Sequence, residues 1–274
     1  HLLRGVLLAL LERQQSTLLD IPKFFMDEAF REKVLNKVRD KEVKKLWELE
    51  YTGYDKRLRS EAIAPILNKV GAFLTNPIIR NIIGQQKTTF DMHKAMDDGK
   101  ILLVNLSKGR IGEDVSMLLG SLLITKIQMA AMSRVNIAET KRRDFYLYID
   151  EFQDYANDSF AEMLAEARKM RVNIIIANQF LEQVSENVRA AILGNVGTII
   201  SFRVGSTDAE ILADEFYPKF SKEDFVKLGR YSIYLRLMID CVMSEAFSAV
   251  TLPPVGKVEG HNEKIVSNSK ERYT

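Results

Sequence analysis

A run of apolar and aromatic residues at 145–149 ends in two adjacent carboxylates, Asp150 and Glu151. A buried parallel strand delivers its last residue to the carboxyl edge of the sheet, where open α/β sheets bind their ligands. At that edge an Asp can hold Mg²⁺, usually through water, and the next Glu can orient and activate a water for phosphoryl transfer. The alternative interpretation is a strand that enters an acidic turn or a helix N-cap, a position that also suits Asp150.

A second apolar run, at 172–177, ends in Asn178 and Gln179, and Gln179 lies 29 residues after Asp150. That spacing fits one strand–helix–strand unit. An amide side chain at this strand end can contact the terminal phosphate of a nucleotide, although an exposed loop glutamine fits the same pattern. The helix between the strands ends near Arg168, which could stabilise charge on a nucleotide held by a neighbouring subunit. Satisfying the helix C-terminus is its alternative role.

The loop that cradles nucleotide phosphates, with the pattern G-x-x-x-x-G-K-[ST], does not occur in this sequence. Residues 84–89 resemble a fragment of it but lack the second glycine and follow no apolar strand. Without that loop the phosphates have no nest of backbone N–H groups, so we expect this chain alone to bind ATP weakly and to be inactive. Lys108 and Arg110 follow another apolar run, 101–106, and could contact the phosphate of a nucleotide or of DNA; a plain exposed loop is the alternative.

Helical periodicity dominates residues 1–98, and strands and helices alternate from residue 99 onwards. We therefore predict an all-helical subdomain over 1–98 and an α/β core over 99–254. The core should contain a mostly parallel sheet with helices on both faces, because its apolar strands are continuous rather than alternating. A closing hairpin and then a polar, flexible tail over 255–274 are expected. The predicted elements are strands 101–106, 145–149, 172–177 and 198–204, helices 114–133, 160–170, 182–193 and 208–216, and hairpin arms 232–239 and 246–252.

The formal net charge is +2 over 274 residues, so the chain as a whole does not demand an anionic partner. One basic stretch, 31–59, contains Trp47 and could bind single-stranded nucleic acid, but the helical spacing of Trp47 favours a buried position. The single cysteine, Cys241, excludes an internal disulfide and fits a reducing compartment. The longest apolar run, 117–132, is interrupted by polar residues and is expected to be a buried helix rather than a membrane span. The sequence starts at His1, and we expect it to be a piece of a longer protein.

In their order and spacing, several segments make the sequence resemble the HerA–FtsK superfamily of DNA-pumping ATPases. More narrowly, it is similar to the TraG/TraD-type coupling proteins of type IV secretion and conjugation. The resemblance covers nearly all of residues 1–254 and implies the C-terminal part of a RecA-like motor domain, with residues 1–98 as an inserted helical domain. The matching segments are GKILLVNLSKGRIG (99–112), FYLYIDEFQ (145–153), Ala167-Arg168-Lys169, IIIANQ (174–179) and NVGTIISFRVGSTD (195–208).

The resemblance implies ATP and Mg²⁺ as cofactors and gives each candidate residue a role. Asp150 would be the Walker B magnesium residue and Glu151 the catalytic acid, with Gln179 as the sensor and Arg168 as the arginine finger. It also implies a homo-hexameric ring that pulls DNA, or a relaxase–DNA complex, through its pore towards secretion-system components. The expected location is cytoplasmic, or the inner face of the membrane through a segment outside this sequence. The phosphate loop and the membrane-spanning helices usual in coupling proteins are missing here, which we attribute to truncation.

Two other interpretations remain open. Residues 150–154 also resemble the D-E-x-Q-D box of UvrD-like helicases, but those enzymes carry G-D-x-x-Q on the next strand, where this chain has Ala177-Asn178-Gln179. The second is a non-catalytic adaptor on a degenerate ATPase fold that docks DNA or protein partners. The two charges at one strand end argue against a degenerate site.

Overall fold

The computed structural model of this chain describes residues 1–254, 256 and 260–273, without the side chains of 72, 73, 158 and 159. The chain divides into two compact units. Unit 1 comprises His1–Phe90 and Asn105–Leu119, and unit 2 comprises Asp91–Val104 and Gly120–Thr274. The predicted domains 1–98, 99–254 and 255–274 stay predictions.

Helices make up most of the regular structure, and each is labelled here in chain order. They are α1 (Leu2–Leu11), α2 (Asp20–Met26), α3 (Glu28–Leu35), α4 (Lys41–Lys45), α5 (Lys56–Thr75), α6 (Pro77–Ile83), α7 (Met92–Asp97), α8 (Lys108–Ile111), α9 (Glu113–Ser133), α10 (Asp158–Ala167), α11 (Glu186–Asn195), α12 (Ser206–Glu215), α13 (Lys222–Lys227) and α14 (Asn262–Tyr273). The strands are β1 (Phe145–Ile149), β2 (Val172–Ile176), β3 (Ile199–Ser201), β4 (Ser232–Arg236), β5 (Met238–Ile239), β6 (Val242–Met243) and β7 (Phe247–Val250).

Unit 1 is built from helices around an aromatic core, as the sequence predicts. Helix α4 continues as a π-helical turn, Leu46–Tyr51, which buries Trp47 and Tyr51 to 1% and 3% exposure. The ring of Trp47 packs edge-on against Phe24, with 4.7 Å between ring centroids. Gly5 allows α1 to approach this turn, because a Cβ there would overlap the side chain of Leu46. The buried position of Trp47 is thereby confirmed, and its ring is not exposed for stacking on a nucleic-acid base.

Local signals place several helix starts in unit 1. The side chains of Asp27 and Asp40 accept backbone hydrogen bonds at the starts of α3 and α4. Asn76 does the same for α6, whose first residue is Pro77. These residue types satisfy N–H groups that a helix leaves without partners, and proline lacks the N–H that would be orphaned at its position. Helix α6 therefore begins where its capping residue and its proline indicate.

The chemistry-bearing part of unit 2 is a parallel sheet of two strands, β1 and β2, joined through α10. Phe145 pairs with Val172 and Ile149 with Ile176. Helix α10 packs against β2 and buries Phe160 and Met163. Both strands and the connecting helix confirm the predicted strand–helix–strand unit.

The other strands of unit 2 form antiparallel sheets. The order of the larger sheet is β3-β4-β7, and β5 pairs with β6 in a short ribbon. The β4–β7 pairing confirms the predicted closing hairpin. Helices α12 and α13 contribute most of a buried cluster beside this sheet, whose members are Ala209, Leu212, Phe216, Phe225 and Ala246.

Three sequence predictions differ from the structure. Residues 101–106 are assigned to no strand, and Ile101 and Leu103 are 89% and 73% exposed. Apolar composition alone did not supply a neighbouring strand to pair with their backbone. Residues 198–204 contribute only three residues to β3, which pairs antiparallel with β4 and does not join β1 and β2. Helices on both faces of the parallel sheet are also not seen among the described residues, since Tyr146 and Tyr148 are 58% and 72% exposed.

Two further segments refine the predictions. The predicted flexible tail contains α14, in which no residue is buried; residues 255, 257–259 and 274 of that tail lie outside the described residues. The predicted helix at 114–133 is confirmed as α9. Together with the 3₁₀ turn that follows it, α9 forms a helix over Glu113–Asn136 that is, among the described residues, the one long and apolar enough to cross a membrane; a third of its 18-residue apolar window is buried. A core helix of a soluble protein meets the same criterion.

Candidate functional site

The carboxyl end of β1 and β2 brings the predicted acidic pair and the predicted glutamine to one edge. Backbone pairing continues past the strands, because the N–H of Ala177 donates to the carbonyl of Ile149 at 2.8 Å and that of Phe152 donates to Ala177 at 2.9 Å. Asp150 and Glu151 lie between these two hydrogen bonds, and Gln179 follows Ala177 on the other strand. The parallel register therefore determines which polar residues meet.

Glu151 has a left-handed backbone, with φ of 49°. For a residue with a Cβ this conformation costs on the order of 1–2 kcal/mol. The Glu151 N–H donates to Oδ1 of Asp150 at 3.0 Å, which satisfies that group within the turn. Among the described residues five other non-glycine residues have a positive φ, so this backbone supports a functional site only together with the polar groups around it.

Two glutamine side chains hold the carboxylate of Glu151. Nε2 of Gln153 donates to Oε2 at 2.5 Å, and Nε2 of Gln179 donates to Oε1. Both donors are neutral amides, so the carboxylate is oriented without being paired to a cation. Among the described residues no cation lies within ion-pairing distance of it, and the group keeps its acceptor capacity for a water.

The carboxylate of Asp150 is exposed at the same edge. The described residues contain no cluster of three or more His, Cys, Asp or Glu that could cage a metal by themselves. Mg²⁺ fits such an arrangement, because proteins usually hold it with one or two carboxylates while phosphate and water oxygens complete its shell. Asp150 is thus the residue suited to hold Mg²⁺ next to Glu151.

Apolar contacts anchor the turn that carries these groups. Phe152 is fully buried and its ring centroid lies 4.5 Å from that of Phe160 on α10. Tyr155 packs against α9 at Gly120, where any Cβ would overlap the tyrosine ring. The turn after Glu151 is therefore anchored by buried aromatic side chains.

The structure also shows a site-supporting residue that the sequence did not single out. Asp208, on α12, is 4% exposed and accepts backbone hydrogen bonds from Leu181 and Glu182, just after Gln179. Asp208 closes the segment NVGTIISFRVGSTD, but nothing in that pattern indicated its partner. An acidic residue in the first turn of a helix is ordinarily explained by the helix dipole.

Arg168 is placed at the opposite end of the same sheet. It lies in the turn that precedes β2, and five strand residues, roughly 17 Å, separate that end from Gln179. Its guanidinium is exposed and contacts Sγ of Cys241 at 3.4 Å. The structure does not bring Arg168 to Glu151 of its own chain.

Lys108 and Arg110 lie in unit 1, on the single turn of α8. Both are exposed, and Nζ of Lys108 is 3.2 Å from Oε1 of Glu113. The pair therefore forms part of a solvated, mixed-charge turn within its own unit.

Comparison with known proteins shows the fold. No protein-family model and no curated protein sequence matches this chain. Among solved structures, the bacterial conjugative coupling protein TrwBΔN70 superposes with a TM-score of 0.59 at 12% sequence identity. The match covers 84% of this chain and 56% of that protein, so this chain spans little more than half the length of its structural neighbour. The chain thus has a mixed α/β fold similar to that of a conjugative coupling protein.

Proposed function

We propose that the complete protein is an ATP-driven DNA translocase of the coupling-protein type. In this proposal the present chain supplies the magnesium-binding and water-activating half of a RecA-like motor domain. The observation that carries it is the hydrogen bond from Gln179 to Glu151 across the carboxyl ends of β1 and β2, beside Asp150. The fold similarity to a conjugative coupling protein supports the same class.

In this proposal each residue of the edge takes part in one step of the reaction. Glu151 accepts a proton from the attacking water. At the same time the water oxygen bonds to the terminal phosphorus, and the bond from that phosphorus to the leaving phosphate breaks. Gln179 keeps one oxygen of Glu151 in place and senses the terminal phosphate. Asp150 holds Mg²⁺, which when bound neutralises charge on the phosphate oxygens. The phosphate-binding loop is supplied by residues outside this sequence.

Arg168 acts on a neighbouring subunit in this proposal. It lies at the amino end of β2, away from the Glu151 of its own chain. An arginine at that position completes a site only if subunits assemble side by side, as in the homo-hexameric ring implied by the resemblance. A guanidinium supplied in this way stabilises charge on the transferred phosphate.

DNA, or a relaxase–DNA complex, is the proposed cargo, and secretion-system components are the proposed recipients. Lys108 and Arg110 are the proposed phosphate contacts, because they are exposed and close together on α8. The proposed location is the cytoplasm or the inner face of the membrane.

The test is Glu151→Gln in the complete protein. The amide keeps the size of the side chain but cannot accept a proton, so turnover of ATP should fall at least about 100-fold while nucleotide binding is retained. Steady-state hydrolysis and equilibrium binding of a fluorescent ATP analogue measure the two quantities.

Glu186→Gln is the matched control, because this substitution makes the same chemical change at an exposed position on α11 of the same unit. It should hydrolyse ATP as the unchanged protein does. Undiminished turnover in Glu151→Gln would reject the proposal.

A further inference from the structure

The loop that follows Gln179 is tied to a different part of unit 2 by one buried carboxylate. Oδ2 of Asp208 accepts the N–H of Leu181 at 2.9 Å, and Oδ1 accepts the N–H of Glu182 at 3.1 Å. Asp208 is only 4% exposed, and bonds from backbone N–H groups to a carboxylate are about twice as strong as neutral ones. The carboxylate therefore determines where residues 181 and 182 lie.

Leu181 is held a second time by apolar contact. Its side chain packs against the buried cluster of α12, α13 and the β3-β4-β7 sheet, which includes Ala209 and Phe216. Gln179 precedes Leu181 by only two residues, so the loop held by Asp208 directly adjoins the amide that bonds Glu151.

We propose that Asp208 is a positioning residue for Gln179. It holds the loop so that the amide of Gln179 meets the carboxylate of Glu151, and it makes that contact depend on the packing of α12 against the antiparallel sheet. The inference rests on the proposed function, since it concerns the same site. It adds a physical connection between the site and the antiparallel region that the sequence resemblance did not include.

The alternative is that Asp208 only stabilises the loop, without effect on the site. The two roles differ in what they change: a merely structural carboxylate affects stability, whereas a positioning carboxylate also affects the Gln179 amide and the rate of turnover at saturating ATP.

The experiment is Asp208→Asn in the complete protein, with Asp214→Asn as the matched control on the exposed side of α12. Asparagine preserves volume but can accept only through one oxygen, so one backbone N–H loses its partner. Hydrogen exchange at Leu181 and Glu182 should become about tenfold faster, as expected when about 1.4 kcal/mol of local stabilisation is lost. The side-chain amide resonance of Gln179 should shift, and kcat should fall about tenfold with KM within about twofold.

Either of two results for Asp208→Asn overturns the inference. Faster exchange at residues 181 and 182 with unchanged kcat and an unmoved Gln179 amide would make Asp208 a purely structural residue. Unchanged exchange would show that its bonds do not hold the loop. If Asp208→Asn does not fold, Asp208→Glu serves instead, because it keeps the charge and displaces the carboxylate by one methylene; an unmoved Gln179 amide and unchanged kcat in that variant overturn the inference as well.

Failure of the proposed function is distinguished by Glu151→Gln in the same assay. If that variant turns over ATP normally, the function is rejected. The Gln179 amide resonance and the exchange rates still decide whether Asp208 positions Gln179.

Discussion

The two ends of the β1–β2 sheet carry polar side chains in opposite environments, a buried arginine at the amino end and carboxylates accessible to water at the carboxyl end. At the amino end Arg134 is fully buried: Nε lies 3.1 Å from Oδ1 of Asp97, and the two terminal nitrogens donate to the carbonyls of Met170 at 2.9 Å and Arg143 at 2.5 Å. At the carboxyl end the polar groups are exposed or half-buried, and among the described residues Glu151 is bonded only by neutral side-chain amides and the turn around it.

The difference shows which end can bind a ligand. A buried charge needs fixed polar partners, because its desolvation costs several kcal/mol. The guanidinium of Arg134 therefore links α7, the end of α9 and the sheet, and it is not available to a ligand. The carboxylates at the other end remain reachable and keep acceptor capacity. Left-handed backbone occurs at both ends, at Glu151 and at Arg171, so conformation alone does not separate them.

The largest expected change in stability comes from the buried arginine at the amino end of the sheet. Arg134→Met fills a similar volume but leaves two carbonyls without their donor and leaves Asp97, whose side chain is 31% exposed, with His93 beside it. The free energy of unfolding should therefore fall by about 2–4 kcal/mol. Urea unfolding of this chain followed by circular dichroism measures it. A loss below about 1 kcal/mol would mean that Arg134 is not buried in solution, and the contrast between the ends would disappear.

A smaller effect is expected from the left-handed residue at the open end. Glu151→Gly should be about 1 kcal/mol more stable than Glu151→Ala, because only glycine adopts this backbone without strain. The same comparison at Arg171, with φ of 56°, is the control and should give a similar gain. Equal stability of the two variants at 151 alone would show that Glu151 does not keep this conformation.

The smallest effect belongs to an exposed ion pair at the amino end. Nη1 of Arg171 lies 3.5 Å from Oδ1 of Asp144, with the two side chains 41% and 44% exposed. Asp144→Asn should lower the free energy of unfolding by no more than about 0.5 kcal/mol, since water screens such pairs. A loss comparable to that of Arg134→Met would mean that burial does not distinguish the charges at this end.

Local pattern predicted the site better than it predicted the sheet around it. The strand at 145–149, the strand at 172–177 and the helix between them were read from apolar runs, and parallel pairing then placed Glu151 beside Gln179. The run at 101–106 is comparably apolar but forms no strand. An apolar run predicts that a segment is buried, but it does not predict which strand pairs with that segment.

Arg134 and Asp208 could not be found from the sequence, for a related reason. Each acts through backbone groups far along the chain: Arg134 through the carbonyl of Met170, and Asp208 through the N–H groups of Leu181 and Glu182. Nearly every residue has a backbone carbonyl and an N–H, so a backbone partner cannot be recognised from the type of its side chain.

The sequence by itself determined the helices of unit 1, the acid-tipped strand and the polar residue at the end of the next one, because periodicity, capping residues and strand ends are local properties. Tertiary structure alone decided that β3 pairs antiparallel, that Arg168 lies at the other end of the sheet from Glu151, and that Asp208 holds the loop after Gln179. These outcomes depend on which distant segments share hydrogen bonds and buried surface, and that choice is made by the packing of the whole unit.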